Sequence, residues 1–151
     1  GGAAIAVTDA LVSEKIREIV VVNRSREKAD ALRRRYGAVI HPVDWERRSD
    51  VLAECDLLIN TTSLGMKDQP PLEIDLSRLG QAATVTDIIY VPLRTPLIEA
   101  AAERGNHVVE GLGMLLHQAV RGFELWFDKR PQVTRELYDI VARDIDHAYH
   151  R

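Results

Sequence analysis

The sequence has one cysteine, Cys55, in 151 residues, which excludes an internal disulfide framework and a cysteine-based zinc site. A lone thiol suggests a reducing compartment, and its place just before an apolar run predicts a buried structural group. Charge of one sign is also lacking: 20 Lys and Arg against 23 Asp and Glu leave a net charge of -3. Spread evenly, that balance provides no basic face for nucleic acid. No apolar run reaches the length of a membrane span, about 18 residues, and no signal-peptide pattern opens the chain. The expectation is a soluble, cytoplasmic protein with neither a nucleic-acid nor a membrane partner. His41, His107, His147 and His150 lack metal-ligand spacing with carboxylates, so no metal site is expected. Repeats, low-complexity tracts and flexible interdomain linkers are missing too. So are an initiator methionine and a strand ahead of the first helix: Gly1-Gly2-Ala3-Ala4 opens directly into a helical pattern at Ile5, Val7, Ala10 and Leu11. The chain reads as a fragment.

What is present is an alternation of two periodicities over the first two-thirds of the chain, the pattern of βα units and a mostly parallel sheet. The pattern predicts helix over 3–15, strand over 18–23 and helix over 25–35 ended by Gly37 as a left-handed cap, then strand over 38–41. Residues 42–49 read as turn or short helix, and 56–60 as a strand. Residues 61–79 form a Gly- and Pro-rich loop with a helical turn at 76–79. Strand 83–89, helix 95–103 and strand 107–109 complete the alternation. Beyond Gly111 the pattern is helical only. One helix runs from Met114 to Phe127, with apolar residues at 115, 116, 119, 120, 123, 126 and 127. A second starts at Pro131 and places Leu137, Ile140, Val141 and Ile145 on one face.

The stretch Ile19 to Lys28, Ile-Val-Val-Val-Asn-Arg-Ser-Arg-Glu-Lys, organises the reading. Its β-branched run fits a buried parallel strand covered on both faces, and Ser25 can cap the following helix. Ligands of doubly wound folds bind at the carboxyl ends of strands, so Arg24, Arg26 and Lys28 are expected to face an anion, with phosphate the obvious candidate. No carboxylate stands at Asn23-Arg24-Ser25, where an acidic residue would accept from a ribose 2′-hydroxyl; an arginine there suits a 2′-phosphate. Gly1 and Gly2 at a helix start could let backbone amides approach a pyrophosphate, although two terminal glycines read equally as a flexible end. Asn60-Thr61-Thr62-Ser63-Leu64-Gly65-Met66 follows a strand that would flank the switch point of a sheet ordered 3-2-1-4-5-6. Asp87 to Leu93, with Thr95-Pro96-Leu97, and Glu110 to Gln118 each put polar groups at a strand end beside an apolar wall.

Together these pieces resemble the C-terminal half of the shikimate dehydrogenase family. The likeness rests on Asn-Arg-Ser at 23–25 with Lys28-Ala29, Asn-Thr-Thr-x-x-Gly-Met at 60–66, Asp-x-x-Tyr-x-Pro at 87–92, Thr-Pro-Leu at 95–97, and Gly-Leu-Gly-Met-Leu-x-x-Gln at 111–118. It covers nearly the whole chain in order. The resemblance implies an α/β, Rossmann-like, doubly wound and mostly parallel sheet lacking its first strand, followed by two C-terminal helices. It divides the chain into a truncated NADP-binding domain, 1–112, and helices at 113–151 that would pack between this domain and a missing substrate domain.

It also implies site residues. Gly1, Gly2 and Ala3 match the end of a phosphate-binding turn. Asn23, Arg24 and Ser25, with Lys28 nearby, match the residues that hold the adenosine phosphate. Thr61, Ile88, Gly111 and Met114 match positions around the nicotinamide, and Tyr90 and Gln118 match residues that reach the substrate. The implied activity is NADPH-dependent reduction of 3-dehydroshikimate to shikimate, within aromatic amino-acid (chorismate) biosynthesis. The family's lysine and aspartate pair lies in the half absent from this chain, so no catalytic residue is assigned here and the fragment is expected to be inactive alone. His117, a lone histidine in an apolar helix, is expected to be structural. Ser63, Glu110 and Ile88 depart mildly from the family's usual proline, aspartate and methionine. A homodimer is among the assemblies the family allows. Competing readings are a dehydrogenase of quinate or a related polyol acid, and a non-catalytic NADP-binding sensor; Tyr90 and Gln118 argue against the sensor.

Overall fold

In the computed structural model, which describes residues 1–149, the alternation becomes five strands, all paired in parallel, and five α-helices. These residues divide into two units: unit 1 is Gly1–Cys55 with Ile74–Gly80, and unit 2 is Asp56–Glu73 with the chain from Gln81 onward.

Unit 1 contains α1 (Gly2–Ser13), β1 (Ile19–Val22), α2 (Arg26–Tyr36) and β2 (Ile40–Val43), followed by short 3-10 turns at Trp45–Arg47 and Asp50–Glu54. The two strands pair in register from Ile19 with Ile40 to Val22 with Val43, and α2 is the crossover. Its inward face buries Ala29 and Leu32, and Ile40 and Leu52 complete the core. The Tyr36 hydroxyl donates to Asp9 Oδ1 at 3.2 Å and so ties α2 to α1. Pro42 fits because β2 is an edge strand and its missing N–H breaks no second ladder.

Three expectations for this unit need correcting. β1 is not covered on both faces, since Val20 is 41% exposed; a two-stranded sheet has too few neighbours to enclose it. Gly37 ends α2 with a positive φ of 80°, but its ψ of -152° lies outside the left-handed helical well. Cys55 is half-buried rather than buried.

Unit 2 contains β3 (Leu57–Asn60), β4 (Thr84–Asp87), α3 (Pro96–Glu103), β5 (His107–Val109), α4 (Gly111–Phe127) and α5 (Arg135–Tyr149). The strands pair in the order β3-β4-β5, with Asn60 opposite Asp87 at the carboxyl end of the first ladder. Val85, Ile98, Ala101 and Leu112 are completely buried. Thr95 caps α3, its hydroxyl accepting from the Ile98 amide at 3.4 Å, and Pro96 occupies the first turn, where its missing N–H is not needed. Asn106 donates to the carbonyls of Gln81 and Ala83, which holds the approach to β5 beside the approach to β4.

An order of 3-2-1-4-5-6 without its first strand leaves two separate ladders, and two are found: β1 with β2, and β3 with β4 and β5. Among the described residues no strand pairs with both. The helices differ in detail from the sequence pattern. α4 starts at Gly111 rather than Met114, and α5 starts at Arg135 rather than Pro131. Proline merely tolerates a first turn, whereas the Thr134 hydroxyl accepts from the Leu137 amide at 3.2 Å and supplies the start. The end of α4 carries large exposed apolar side chains, Leu125, Trp126 (81% exposed) and Phe127. No helix among the described residues is long and apolar enough to cross a membrane.

Candidate functional site

Parallel pairing sets the carboxyl ends of β3 and β4 side by side, and there unit 2 buries a carboxylate. Asp87 is completely inaccessible. Both of its oxygens accept from Asn60 Nδ2 at 3.1 Å, Oδ1 also accepts from the Ile89 amide at 3.0 Å, and Oδ2 accepts from the Thr95 hydroxyl at 2.8 Å. Burial nevertheless raises its pKa above the ordinary carboxylate value, although the bonds from Ile89, Asn60 and Thr95 oppose the shift. Asn60 extends the network into the next loop. Its Oδ1 accepts from the Thr62 amide and hydroxyl at 3.0 and 2.8 Å, its Nδ2 donates to the Leu64 carbonyl, and Thr62 Oγ1 accepts from the Leu64 amide.

The loops held in this way frame a cleft of about 370 Å³ lined by Thr61, Thr62, Ser63, Met66, Ile88, Ile89, Tyr90, Val91 and Met114. Its walls are mainly apolar, with hydroxyls at the strand ends, a lining suited to a flat ring carrying a few polar groups. Gly111 allows one wall to close. A Cβ there would lie 2.3 Å from the Ile89 carbonyl oxygen and 2.6 Å from the Ile88 carbonyl carbon and oxygen, all main-chain atoms. Only a residue without a side chain lets α4 begin against the turn after β4 and bring Met114 to the cleft. Of the residues expected around the nicotinamide and substrate, Thr61, Ile88, Tyr90 and Met114 meet at this cleft, and Gly111 sits behind it. Gln118 lies one turn beyond Met114 on α4; it is exposed and does not line the cleft. His117 is exposed rather than part of a core.

Unit 1 presents the other predicted set. Asn23 Oδ1 accepts from the Ser25 amide at 2.9 Å and shapes the turn from β1 into α2. Ser25 is the N-cap residue, but its hydroxyl makes no capping bond. The three cations differ from one another. Arg26 is claimed by Asp30 and Asp44, with a shortest contact of 2.5 Å to Asp44, and the bonds from Asp44 and Asp30 raise its pKa. Arg24 and Lys28 are exposed and make no ion pair among the described residues. An anion at this helix start would therefore meet Arg24 rather than Arg26. Gly1, Gly2 and Ala3 are exposed at the start of α1, which has no side-chain cap, and nothing lies within 4 Å of a Cβ built on either glycine.

A further polar cluster in unit 2 was not signalled by the sequence. Glu110, the N-cap residue of α4, accepts from Arg94 at 3.0 Å and from the Tyr138 hydroxyl at 3.0 Å. Burial, and then Glu110, push the Tyr138 phenol above its ordinary pKa. A hollow of about 610 Å³ beside Glu136, Asp139, Ala142 and Arg143 is larger than the cleft, but a single helix face cannot enclose a ligand. No group of three potential metal ligands occurs among the described residues; His150 lies outside them. The residues the sequence left unassigned are Asn60, Asp87 and Thr95. Polar groups ending apolar strands were the visible signal, but their pairing depends on register.

Comparison with known proteins adds an independent line. A family model described as "Shikimate / quinate 5-dehydrogenase" matches residues 1–91, and one described as "Shikimate 5'-dehydrogenase C-terminal domain" matches residues 111–135. The shikimate dehydrogenase (NADP(+)) of Nitrobacter hamburgensis is 52% identical over 145 residues, covering 96% of this chain and 51% of that protein. Among solved structures, the quinate dehydrogenase of Corynebacterium glutamicum in complex with NAD matches 95% of this chain and 50% of its own, with a TM-score of 0.78 and 30% identity. The shikimate 5-dehydrogenase of Thermus thermophilus in complex with NADP(H) and shikimate matches 96% of this chain and 52% of its own, with a TM-score of 0.78 and 28% identity. The chain spans about half the length of the curated relatives it matches.

Proposed function

The chain belongs to the shikimate / quinate 5-dehydrogenase family, and on that premise we propose that it is the NADP-binding part of an enzyme that reduces 3-dehydroshikimate to shikimate. The observation that carries this reading is convergence. Thr61, Met66, Ile88, Tyr90 and Met114 come from three separate stretches and line one cleft at the carboxyl ends of parallel strands.

The residues present fit the cofactor. In unit 1, Arg24 is exposed and has no ion pair among the described residues, and it would hold a 2′-phosphate through its planar fork. Asn23 and Ser25 would shape that turn, with Lys28 adding charge, and Gly1, Gly2 and Ala3 would take the pyrophosphate on the amides of α1. In unit 2, Thr61, Ile88 and Met114 would bind the nicotinamide, and Gly111 would keep its wall close. When bound, NADPH supplies the hydride. Ile88 and Met114 would keep water from that ring, while Tyr90 and Gln118 would orient the substrate through its hydroxyls or carboxylate. The reaction also needs a proton for the substrate oxygen, and no described residue of this chain is assigned that role. The helices from residue 113 onward would pack against a substrate-binding half. A homodimer and a cytoplasmic location belong to the same proposal.

The test is made in a protein carrying this chain at the length of its relatives. Supplied with NADPH, it is expected to consume 3-dehydroshikimate faster than 3-dehydroquinate, measured by loss of NADPH absorbance. Faster turnover of 3-dehydroquinate would transfer the assignment to quinate, and turnover of neither would refute the enzyme reading. Light scattering checks the dimer.

A further inference from the structure

We propose that Asp87 is the positioning residue of the unit 2 cleft, a buried acceptor that fixes both loops between which the nicotinamide would sit. This rests on the reading of that cleft as the nicotinamide end.

Two loops supply most of the lining, residues 61–66 after β3 and residues 88–91 after β4. Asp87 holds the second directly through the Ile89 amide, and holds the first through Asn60, which in turn fixes Thr62 and Leu64. It also anchors the N-cap residue of α3 through the Thr95 hydroxyl. Asn60 and Asp87 can share these bonds because they are register partners on adjacent parallel strands. The carboxylate is completely buried and its oxygens are occupied by donors, so it would touch no ligand and acts through the loops.

Chemistry explains why a carboxylate stands there. Three donor groups make four contacts with two oxygens, and charge-assisted bonds away from water are the strong ones. An asparagine has the same shape, but it replaces one acceptor with an N–H group that would face the Asn60 amide together with either the Ile89 amide or the Thr95 hydroxyl. Either the Ile89 turn or the Thr95 cap must then lose its acceptor, and the Asn60 amide keeps one of its two, which loosens the hold on the loops. Tyr90, Ile88 and Thr61 would keep their identities but lose their fixed relative positions.

The chain carries its own reporters. It has two methionines, Met66 and Met114, and both line the cleft. Carbon-13 methyl NMR of methionine-labelled protein therefore reads the cleft walls without any ligand. Asp87→Asn and Thr95→Val are compared with Thr95→Ser, which retains the hydroxyl. Calorimetry follows reduced nicotinamide mononucleotide for the ring end and 2′,5′-ADP for the adenosine-phosphate end.

The expected result is that Asp87→Asn and Thr95→Val move both methionine signals and weaken the mononucleotide roughly tenfold or more, while 2′,5′-ADP binding changes by less than about twofold. Thr95→Ser behaves as the wild type. Unmoved methionine signals, equal losses at both ligand ends, or a Thr95→Ser variant as impaired as Thr95→Val would each overturn the proposal. If Asp87→Asn fails to fold, the Thr95 pair decides. If the wild type binds neither ligand, the cofactor reading falls and the methionine signals decide the positioning role alone.

Discussion

Replacing Gly111 with alanine tests the geometry of the cleft most directly. The added Cβ would lie 2.3 Å from the Ile89 carbonyl oxygen and 2.6 Å from two atoms of the Ile88 carbonyl. An ordinary contact requires the start of α4 to retreat by about 1 Å. Flexible side chains could absorb such an overlap by rotating, but these atoms are main chain, in the turn shaped by the bond between Ile89 and Asp87. Overpacking of a rigid site costs about 1–3 kcal/mol, and main-chain contact belongs at the upper end. For a chain of this size, about 3 kcal/mol corresponds to a melting temperature lower by roughly 6–12 °C. Gly122 is an internal control: it lies within α4 with nothing inside 4 Å of a built Cβ. Gly122→Ala should raise stability by about 0.5–1 kcal/mol, because glycine pays the larger backbone entropy in a helix. Thermal unfolding followed by circular dichroism compares the three proteins. Equal melting temperatures for Gly111→Ala and wild type, or equal losses for the two variants, would refute the close-approach argument.

Arg24→Ala is expected to weaken NADP roughly tenfold to a hundredfold and leave NAD nearly unchanged by calorimetry; equal losses would sink the phosphate assignment. Arg26→Ala should spare NADP, since Asp44 and Asp30 already occupy that guanidinium, and a loss as large as that of Arg24→Ala would contradict this. Thr134→Ala should cost about 0.5–2 kcal/mol through the lost cap of α5, with helical circular dichroism melting earlier than in wild type. Asp87 predicts a pH dependence. Burial raises its folded pKa above the ordinary value of 3.8, so the charged form is less favoured in the folded chain than in the unfolded one. Its contribution to stability is then complete below the unfolded pKa and is lost as pH rises through the folded one. Relative to Asp87→Asn, wild type should lose stability as pH rises above about 4, in urea melts across the acid range; a relative gain would reverse the assigned shift.

Periodicity and residue type were enough to specify the α/β alternation, the parallel pairing and the two terminal helices, because burial against one face imprints a local repeat on the chain. The motif stretches also marked Thr61, Ile88, Tyr90 and Met114 before their meeting at one cleft was visible. Helix starts were less legible. The hydroxyl of Thr134 and the glycine at 111 outweighed the more conspicuous Pro131 and Met114.

Tertiary structure alone decided which polar groups meet. The sequence pointed to Arg24 for a phosphate and placed Arg26 beside it as a further cation; only the packing of unit 1 places Asp44 on Arg26 and leaves Arg24 without an ion pair among the described residues. Gly111 resembles any helix-starting glycine until the main chain of Ile88 and Ile89 occupies the space where a Cβ would go. Asn60 and Asp87 stand 27 residues apart and become partners through the register of β3 on β4. Hydrophobic periodicity records only whether a side chain faces inward; which donor reaches which acceptor is set by strand pairing and by the closeness with which one backbone packs against another.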